Sequence, residues 1–192
     1  MTPRMVVVAG PPGSGKSTLY PVSSFGIASF NADDRAAELN GGSYIGISND
    51  IRKVVIREFE TFIQDRIARV ESFAIETTLR SDVTFDQASL ARTAGFAVEM
   101  RYIALRDFAM HVERIQARAD AGGHSASERT LRRIYDASLR NLARAVRAMD
   151  TLWVYDNTAA DATHPLVFES RNGEILYIKE PPPSWLEDAL KL

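Results

Sequence analysis

Apolar and polar residues alternate along the chain with two different periods. Short β-branched apolar runs are typical of buried strands, and longer stretches with apolar residues three or four positions apart are typical of helices. The predicted strands are residues 5–9, 25–30, 72–75, 96–105, 152–155, 166–169 and 175–178. The predicted helices are residues 33–40, 49–68, 85–94, 107–119, 128–149 and a short C-terminal helix after the prolines at 181–183. This alternation predicts an α/β fold with a mostly parallel central sheet flanked by helices, and Asn172-Gly173 predicts a C-terminal antiparallel hairpin.

The length of 192 residues predicts a single domain over residues 1–192, in which the hairpin and the short helix occupy residues 164–192. The net charge of −2 gives no electrostatic reason to expect nucleic acid or an anionic membrane as a partner. The absence of cysteine excludes disulfides, thiolate zinc sites and cysteine nucleophiles. No apolar stretch reaches the ~20 residues of a membrane helix, and no signal peptide precedes the first strand, so we expect a cytoplasmic protein.

A glycine-rich loop follows the first predicted strand directly. Its sequence, GPPGSGKST, fits the phosphate-binding pattern G-x-x-x-x-G-K-[ST], in which backbone N–H groups turn inward around a polyphosphate. In this pattern Lys16 reaches the β- and γ-phosphates and the Ser17 hydroxyl binds Mg²⁺. Pro21 predicts that the helix behind the loop is very short or broken. The predicted nucleoside triphosphate site consists of Gly10, Pro11, Pro12, Gly13, Ser14, Gly15, Lys16, Ser17 and Thr18.

Two further polar clusters end predicted strands, at residues 31–34 and 76–80. The carboxyl ends of parallel strands share one edge of a sheet, where reactive groups collect. Phosphoryl transfer to an alcohol needs a carboxylate that accepts the hydroxyl proton, and Asp33 is the candidate base. Glu76 and Thr78 could hold the acceptor or help to place the metal. Alternatively, Asp33 and Asp34 cap the following helix, or one caps it while the other reacts.

Arginines are frequent on the two predicted helices that flank Gly122-Gly123-His124. A glycine-hinged helix pair with arginines suits a lid, at about residues 107–149, that closes cations over the γ-phosphate. Arg118 is the stronger candidate, although a solvated helix face is the usual place for arginine. Arg132 and Arg133 point about 100° apart, so only one of them is expected to face the site. No catalytic role is predicted for the remaining histidines, His111 and His164, and no metal site made by protein side chains alone.

Together these motifs resemble those of the zeta toxin family of P-loop kinases. The resemblance runs from the glycine loop to about residue 158, and its most specific parts are the Asp after the second strand and E-x-T-x-R after the third. It also includes residues 118–124, Tyr135, residues 139–142 and Asp156-Asn157-Thr158. Members of this family have a P-loop kinase fold, and the well-studied ones transfer the γ-phosphate of ATP to the sugar 3′-hydroxyl of UDP-N-acetylglucosamine. An antitoxin normally blocks their ATP site.

By position, the resemblance implies a role for each matching residue. Asp33 corresponds to the catalytic base, and Glu76 and Thr78 to contacts with the substrate sugar. Arg80 corresponds to an arginine near the phosphates and Arg118 to a lid arginine. The second lid arginine is either Arg132 or Arg133.

The sequence therefore predicts an ATP- and Mg²⁺-dependent kinase whose acceptor is a hydroxylated small molecule, with a UDP-activated amino sugar as the first candidate. The chain lacks an obvious antitoxin-like helical segment, so any inhibitor would be a separate protein. Two alternatives stay open: a kinase for another metabolite or for nucleic-acid ends, and a slow ATPase that acts as a binding module. The preference for adenine or guanine is also open.

Overall fold

The computed structural model describes residues 2–120, 127–159 and 165–192, with side chains described only up to residue 117 in the first range. The strands are β1 Arg4–Ala9, β2 Ala28–Phe30, β3 Phe73–Thr77, β4 Ala97–Ala104, β5 Thr151–Asp156, β6 Leu166–Arg171 and β7 Glu174–Ile178. The helices are α1 Lys16–Leu19, α2 Ala32–Leu39, α3 Asn49–Ala68, α4 Val83–Thr93, α5 Phe108–Asp120, α6 Glu128–Ala148 and α7 Ser184–Leu190, and a 3₁₀ helix spans Val22–Phe25.

The strands form one seven-stranded sheet in the order β2-β3-β1-β4-β5-β6-β7. Strands β1 to β5 are parallel, and β6 and β7 are antiparallel to their neighbours. Asn172 and Gly173, both with positive φ, make the tight turn between the last two strands. The predicted fold class is confirmed, including the antiparallel hairpin.

The central strand β1 is buried on both faces of the sheet, which explains its unbroken apolar sequence. Met5 and Val7 face the larger core, which α3, α4, α6 and α7 cover. Val6 and Val8 face a smaller core on the opposite side, together with Ile103.

The smaller core is covered by the short segment that follows the glycine loop. Helix α1 has four residues and ends at Leu19, two residues before Pro21, so it is very short, as predicted. The predicted strand 25–30 is wrong in its first half, because Ser24 N–H bonds the Pro21 carbonyl (2.8 Å) and closes a 3₁₀ helix there. Beyond this segment the sheet face is polar and aromatic: the Arg101 guanidinium lies 4.7 Å from the Trp153 ring centroid and 4.9 Å from that of Phe25.

Candidate functional site

The glycine loop lies at the carboxyl end of β1, between β4 and α5. Gly10, Gly13 and Gly15 have φ values of +142°, +78° and +91°, which side chains other than that of glycine rarely adopt. Their neighbours are also too close for a side chain. A Cβ on Gly10 would overlap the carbonyl oxygen of Ile103, and one on Gly13 would lie 2.7 Å from the carbonyl oxygen of His111. The loop conformation therefore depends on glycine at these positions.

A Gly10→Ala substitution is expected to destabilise the protein by roughly 3 kcal/mol and to abolish nucleotide binding, because the new methyl group meets rigid backbone. Gly26→Ala is the matched control, since Gly26 also has positive φ (+66°) but no atom lies within 4 Å of its added Cβ. The control is expected to lose about 1 kcal/mol and to bind nucleotide normally. Urea unfolding and titration with a fluorescent ATP analogue measure both effects, and equal losses in the two variants would contradict the steric argument.

Glu76, at the end of β3, contacts Lys16 and Ser17, the two loop residues whose side chains have predicted roles. The Ser17 hydroxyl donates to Oε2 of Glu76 (2.8 Å), and Lys16 Nζ lies 3.9 Å from Oε1. Lys16 is buried and also donates to the Pro11 carbonyl (3.2 Å). Strands β1 and β3 pair in parallel, with Val8 opposite Glu76, and this pairing brings the carboxylate to the loop.

The environment of Glu76 disfavours its charge. Burial raises the pKa of this carboxyl, and the nearby charges of Asp33 and Asp34 raise it further. The charge of Lys16 and the hydrogen bond from Ser17 act in the opposite direction without cancelling the effect of burial. A carboxylate held in this way gains stability when a cation comes close to it.

The polar cluster at residues 31–34 lies at the start of helix α2, and Asn31 is the N-cap of this helix. The Asn31 side-chain oxygen accepts hydrogen bonds from the backbone N–H groups of Asp33 (2.9 Å) and Asp34 (3.3 Å), while its amide donates to Glu76 Oε2 (3.3 Å). The alternative in which either aspartate caps the helix is therefore wrong, because Asn31, two residues before Asp33, already caps it. Asp34 accepts a hydrogen bond from Tyr44 (2.8 Å), and the Asp33 side chain is exposed.

The second polar cluster, at residues 76–80, continues from the end of β3 into a strained turn. Leu79 has a positive φ (+55°) and is fully buried, an unusual combination for a non-glycine residue. Two hydrogen bonds hold it: its N–H donates to Thr77 Oγ1 (3.1 Å), and its carbonyl accepts from Asn141 of α6 (2.9 Å). Thr78 is half-buried and Arg80 is exposed, on either side of this fixed residue.

The predicted lid arginines differ in what the structure describes of them. Arg118 lies in α5, but its side chain and residues Gly122, Gly123 and His124 are outside the described part of the chain, as is His164. Arg132 packs over the Phe108 ring (5.0 Å) and donates to Asp136 (3.1 Å), so it joins α6 to α5. Arg133 is exposed. The choice between these two as the second lid arginine stays a prediction.

Two side chains that the sequence left without a role hold the outward-facing carbonyls of the glycine loop. His111 Nδ1 bonds the Pro12 carbonyl (2.8 Å), and Asn157 Nδ2 donates to the Ser14 carbonyl (2.9 Å). Arg114 in turn donates to the Asn157 carbonyl (2.8 Å). Asn157 lies at the end of β5 and belongs to the Asp156-Asn157-Thr158 part of the resemblance, and His111 lies on the buried side of α5, but neither signal assigned a role to its residue.

His111 is expected to make stability depend on pH. Burial, with the positive charges of Lys16 and Arg114, lowers its pKa to about 4, against the hydrogen bond to Pro12 and the charge of Asp107. Between about pH 6.5 and pH 4 the unfolded chain binds a proton at this residue and the folded protein does not. Stability contributed by the neutral ring is therefore present above pH 6.5 and is lost as the pH falls, by up to about 3 kcal/mol.

Urea unfolding of the wild type and of His111→Asn at pH 7, 5.5 and 4.5 checks this. The free energy of unfolding should fall more steeply with acidification in the wild type than in the variant, which lacks the titrating group. Parallel curves would show that His111 does not titrate differently on unfolding.

The fold and the glycine loop define the class of protein: an α/β P-loop fold, with the loop between β1 and α1. Residues 5–141 match the family model of the AAA domain, which is more than half of the chain. The chain therefore belongs to the AAA domain family. A comparison with curated proteins finds no match.

Several solved structures share this fold. A chain of the PezAT chromosomal toxin-antitoxin system of Streptococcus pneumoniae is similar over 99% of this chain and 77% of its own, at 15% identity and a TM-score of 0.64. A chain of the AvrRxo1-ORF1:-ORF2 complex with ATP is similar over 98% of this chain and 64% of its own, at 14% identity and a TM-score of 0.73. Shikimate kinase from Acinetobacter baumannii is similar over 85% of this chain and 88% of its own chain, at 14% identity and a TM-score of 0.50.

Within the residues that the structure describes, no helix has the length and apolar character needed to cross a membrane.

Proposed function

We propose that this chain is an ATP- and Mg²⁺-dependent kinase that phosphorylates a hydroxyl group of a small molecule, with a UDP-activated amino sugar such as UDP-N-acetylglucosamine as the first candidate. One observation carries the proposal. Glu76 contacts Lys16 and Ser17 on one side and Asn31 on the other, and Asn31 holds the helix turn that bears Asp33. These contacts link the candidate base to the glycine loop through Glu76 and Asn31, and a module that only binds nucleotide does not require such a base.

The charge and the backbone N–H groups of the glycine loop are suited to binding a triphosphate. Lys16 supplies a buried positive charge, and the glycines permit the backbone to turn its N–H groups inward. The Ser14 hydroxyl oxygen is buried and has no hydrogen-bond partner among the described residues. A buried polar atom without a partner costs free energy, and rotation of the hydroxyl toward the inside of the loop would give it a phosphate oxygen as a partner.

Ser17 and Glu76 are the residues that would hold Mg²⁺. Their oxygens lie 2.8 Å apart, and hydroxyl and carboxylate oxygens suit this hard cation, which takes its other ligands from phosphates and water. Bound there, Mg²⁺ would neutralise charge that develops on the phosphates. The cation would also stabilise the charged form of Glu76, which burial otherwise disfavours.

In the proposed reaction Asp33 accepts the proton of the acceptor hydroxyl. The hydroxyl oxygen forms a bond to the γ-phosphorus, the bond from that phosphorus to the bridging oxygen of ADP breaks, and ADP leaves with the electron pair. Lys16, Arg80 and Arg118 neutralise the charge of the transferring group, together with Arg132 or Arg133. Glu76 and Thr78 contact the acceptor, in addition to the role of Glu76 at the metal.

The comparisons support the nucleotide and the type of partner. The similar AvrRxo1-ORF1:-ORF2 complex was determined with ATP, and the similar PezAT chain comes from a toxin-antitoxin system. We therefore include a separate antitoxin protein as a candidate partner. The proposal also takes residues 1–192 as one kinase domain with a lid at about 107–149, acting in the cytoplasm.

The test is to incubate the purified protein with ATP, Mg²⁺ and a panel of UDP-sugars, nucleosides, shikimate-like hydroxy acids and oligonucleotides, and to look for an added phosphate by mass spectrometry. A phosphorylated UDP-amino sugar in the wild type, absent with Asp33→Asn, is the expected result. If only another class of acceptor gains mass, the amino-sugar assignment is wrong. If ADP forms while no acceptor gains mass, the protein is an ATPase and the kinase proposal fails.

A further inference from the structure

We propose that His111 is a positioning residue that fixes the phosphate loop through the carbonyl of Pro12. The inference rests on the proposed binding of a triphosphate by the loop. A loop that turns its N–H groups toward a phosphate turns carbonyls away from it, and these carbonyls need partners in the protein. Nδ1 of His111 lies 2.8 Å from the Pro12 oxygen and supplies such a partner.

The surroundings of the ring determine where its proton lies. The backbone N–H of Leu105 points at Nε2 (3.2 Å), and an N–H group can only donate, so Nε2 accepts. The proton of the neutral ring is therefore on Nδ1, where it is donated to Pro12. One side chain thus joins the residue after β4 to the phosphate loop.

The ring has little freedom to leave this position. It is 1% exposed, and the Tyr135 ring of α6 packs against it edge to face, with the centroids 5.1 Å apart. The backbone at His111 itself lies against Gly13, where no side chain could be accommodated. Helix α1 is only four residues long, and α5 adds support to the loop through the backbone and the side chain of His111.

Two conservative substitutions separate the two hydrogen bonds. In His111→Asn the side-chain amide can occupy the place of Nδ1 and donate to Pro12, which leaves the Leu105 N–H without its acceptor. In His111→Gln the longer side chain can place its carbonyl at the position of Nε2 and accept from Leu105, which leaves the Pro12 carbonyl without its donor. Each variant therefore loses one buried hydrogen bond, but only the Gln variant loses the bond to the loop.

The experiment measures ATP affinity by calorimetry and amide hydrogen exchange of residues 13–17 in the wild type and in His111→Asn, His111→Gln and His111→Ala. The Gln and Ala variants are expected to bind ATP about tenfold more weakly and to exchange faster in the loop. The Asn variant should stay close to the wild type in both measurements, although thermal unfolding shows it to be as destabilised as the Gln variant. Equal losses of affinity in the Asn and Gln variants, or normal affinity and exchange in the Ala variant, would overturn the proposal.

These measurements do not depend on the acceptor. If the wild type and the Asn variant bind ATP alike while no acceptor is ever phosphorylated, the kinase proposal fails and the role of His111 stands. If the wild type does not bind ATP, the exchange rates of the loop in the absence of nucleotide decide the role of His111 alone.

Discussion

Replacing Asp33 with asparagine is expected to lower the turnover number for phosphoryl transfer by about a thousandfold while ATP still binds. A positioned general base contributes roughly 10²- to 10⁴-fold to such a reaction, and asparagine cannot accept the hydroxyl proton. The side chain is exposed, and the cap of α2 comes from Asn31, so the fold does not depend on the carboxylate. Loss of one acid from the first helix turn costs about 0.5 kcal/mol.

Asp34→Asn is the matched control. It removes the same charge one residue further on, and both aspartates act on the Glu76 pKa in the same direction. Asp34 already accepts a hydrogen bond from Tyr44, so its replacement is expected to leave turnover close to that of the wild type. Steady-state kinetics with the acceptor found in the mass-spectrometric screen compare the two variants. Similar turnover in the wild type and Asp33→Asn, or an equal loss in both variants, would remove Asp33 from the mechanism.

The second large effect is expected from Glu76→Gln. The substitution keeps the size of the side chain and its contact with Asn31 but removes the charge beside Ser17 and Lys16. We expect turnover to fall about a hundredfold, equivalent to about 3 kcal/mol of transition-state stabilisation, and the Mg²⁺ concentration for half-maximal rate to rise. A titration of activity against Mg²⁺ measures both quantities.

The free energy of unfolding of Glu76→Gln should not fall with its turnover number. Because burial raises the pKa of Glu76, the folded protein disfavours its charge, and a neutral amide is expected to keep or increase the free energy of unfolding at pH 7. Glu60→Gln, on the exposed face of α3, serves as the control and should change neither activity nor stability. An unchanged Mg²⁺ requirement in Glu76→Gln would show that this carboxylate does not serve the metal.

Elements whose cause lies in the local sequence were predicted well. Helix α3 has the predicted bounds, since Ser48 caps it by accepting from the Ile51 N–H (3.2 Å) and its apolar positions recur regularly. The glycine loop was also predicted, because its chemistry is contained in nine consecutive residues. The strand predicted over 25–30 was too long, since Phe25 and Ile27 pack against the core from a 3₁₀ helix and a bend. An apolar run alone does not distinguish a strand from a 3₁₀ helix or a bend that packs against the core.

The site beyond the loop depends on contacts between distant parts of the chain. Ser17 and Glu76 are 59 positions apart, and His111 and Pro12 are 99 apart. The first pair could be predicted, because Glu76 lies at the end of β3 and Ser17 lies in the loop and helix that follow the neighbouring parallel strand β1. The second pair could not, since it requires the exact position of α5 on the loop. Asn31 was missed as the helix cap for a local reason: Asn and Asp are both favoured N-caps, and the sequence does not determine which of these nearby residues begins the helix.

The strand order places the residues proposed to act on the acceptor on one side of β1 and the residues that support the glycine loop on the other. On one side, Asp33 follows β2 and Glu76 lies at the end of β3, whereas on the other side His111 and Asn157 follow β4 and β5. The groups that meet the acceptor can therefore change without moving the supports of the nucleotide cradle. An exchange of residues 31–80 between relatives, with Glu76 retained for its contacts with Ser17 and Lys16, would then transfer the choice of acceptor as a unit, and new specificities could be engineered there while ATP recognition is left intact.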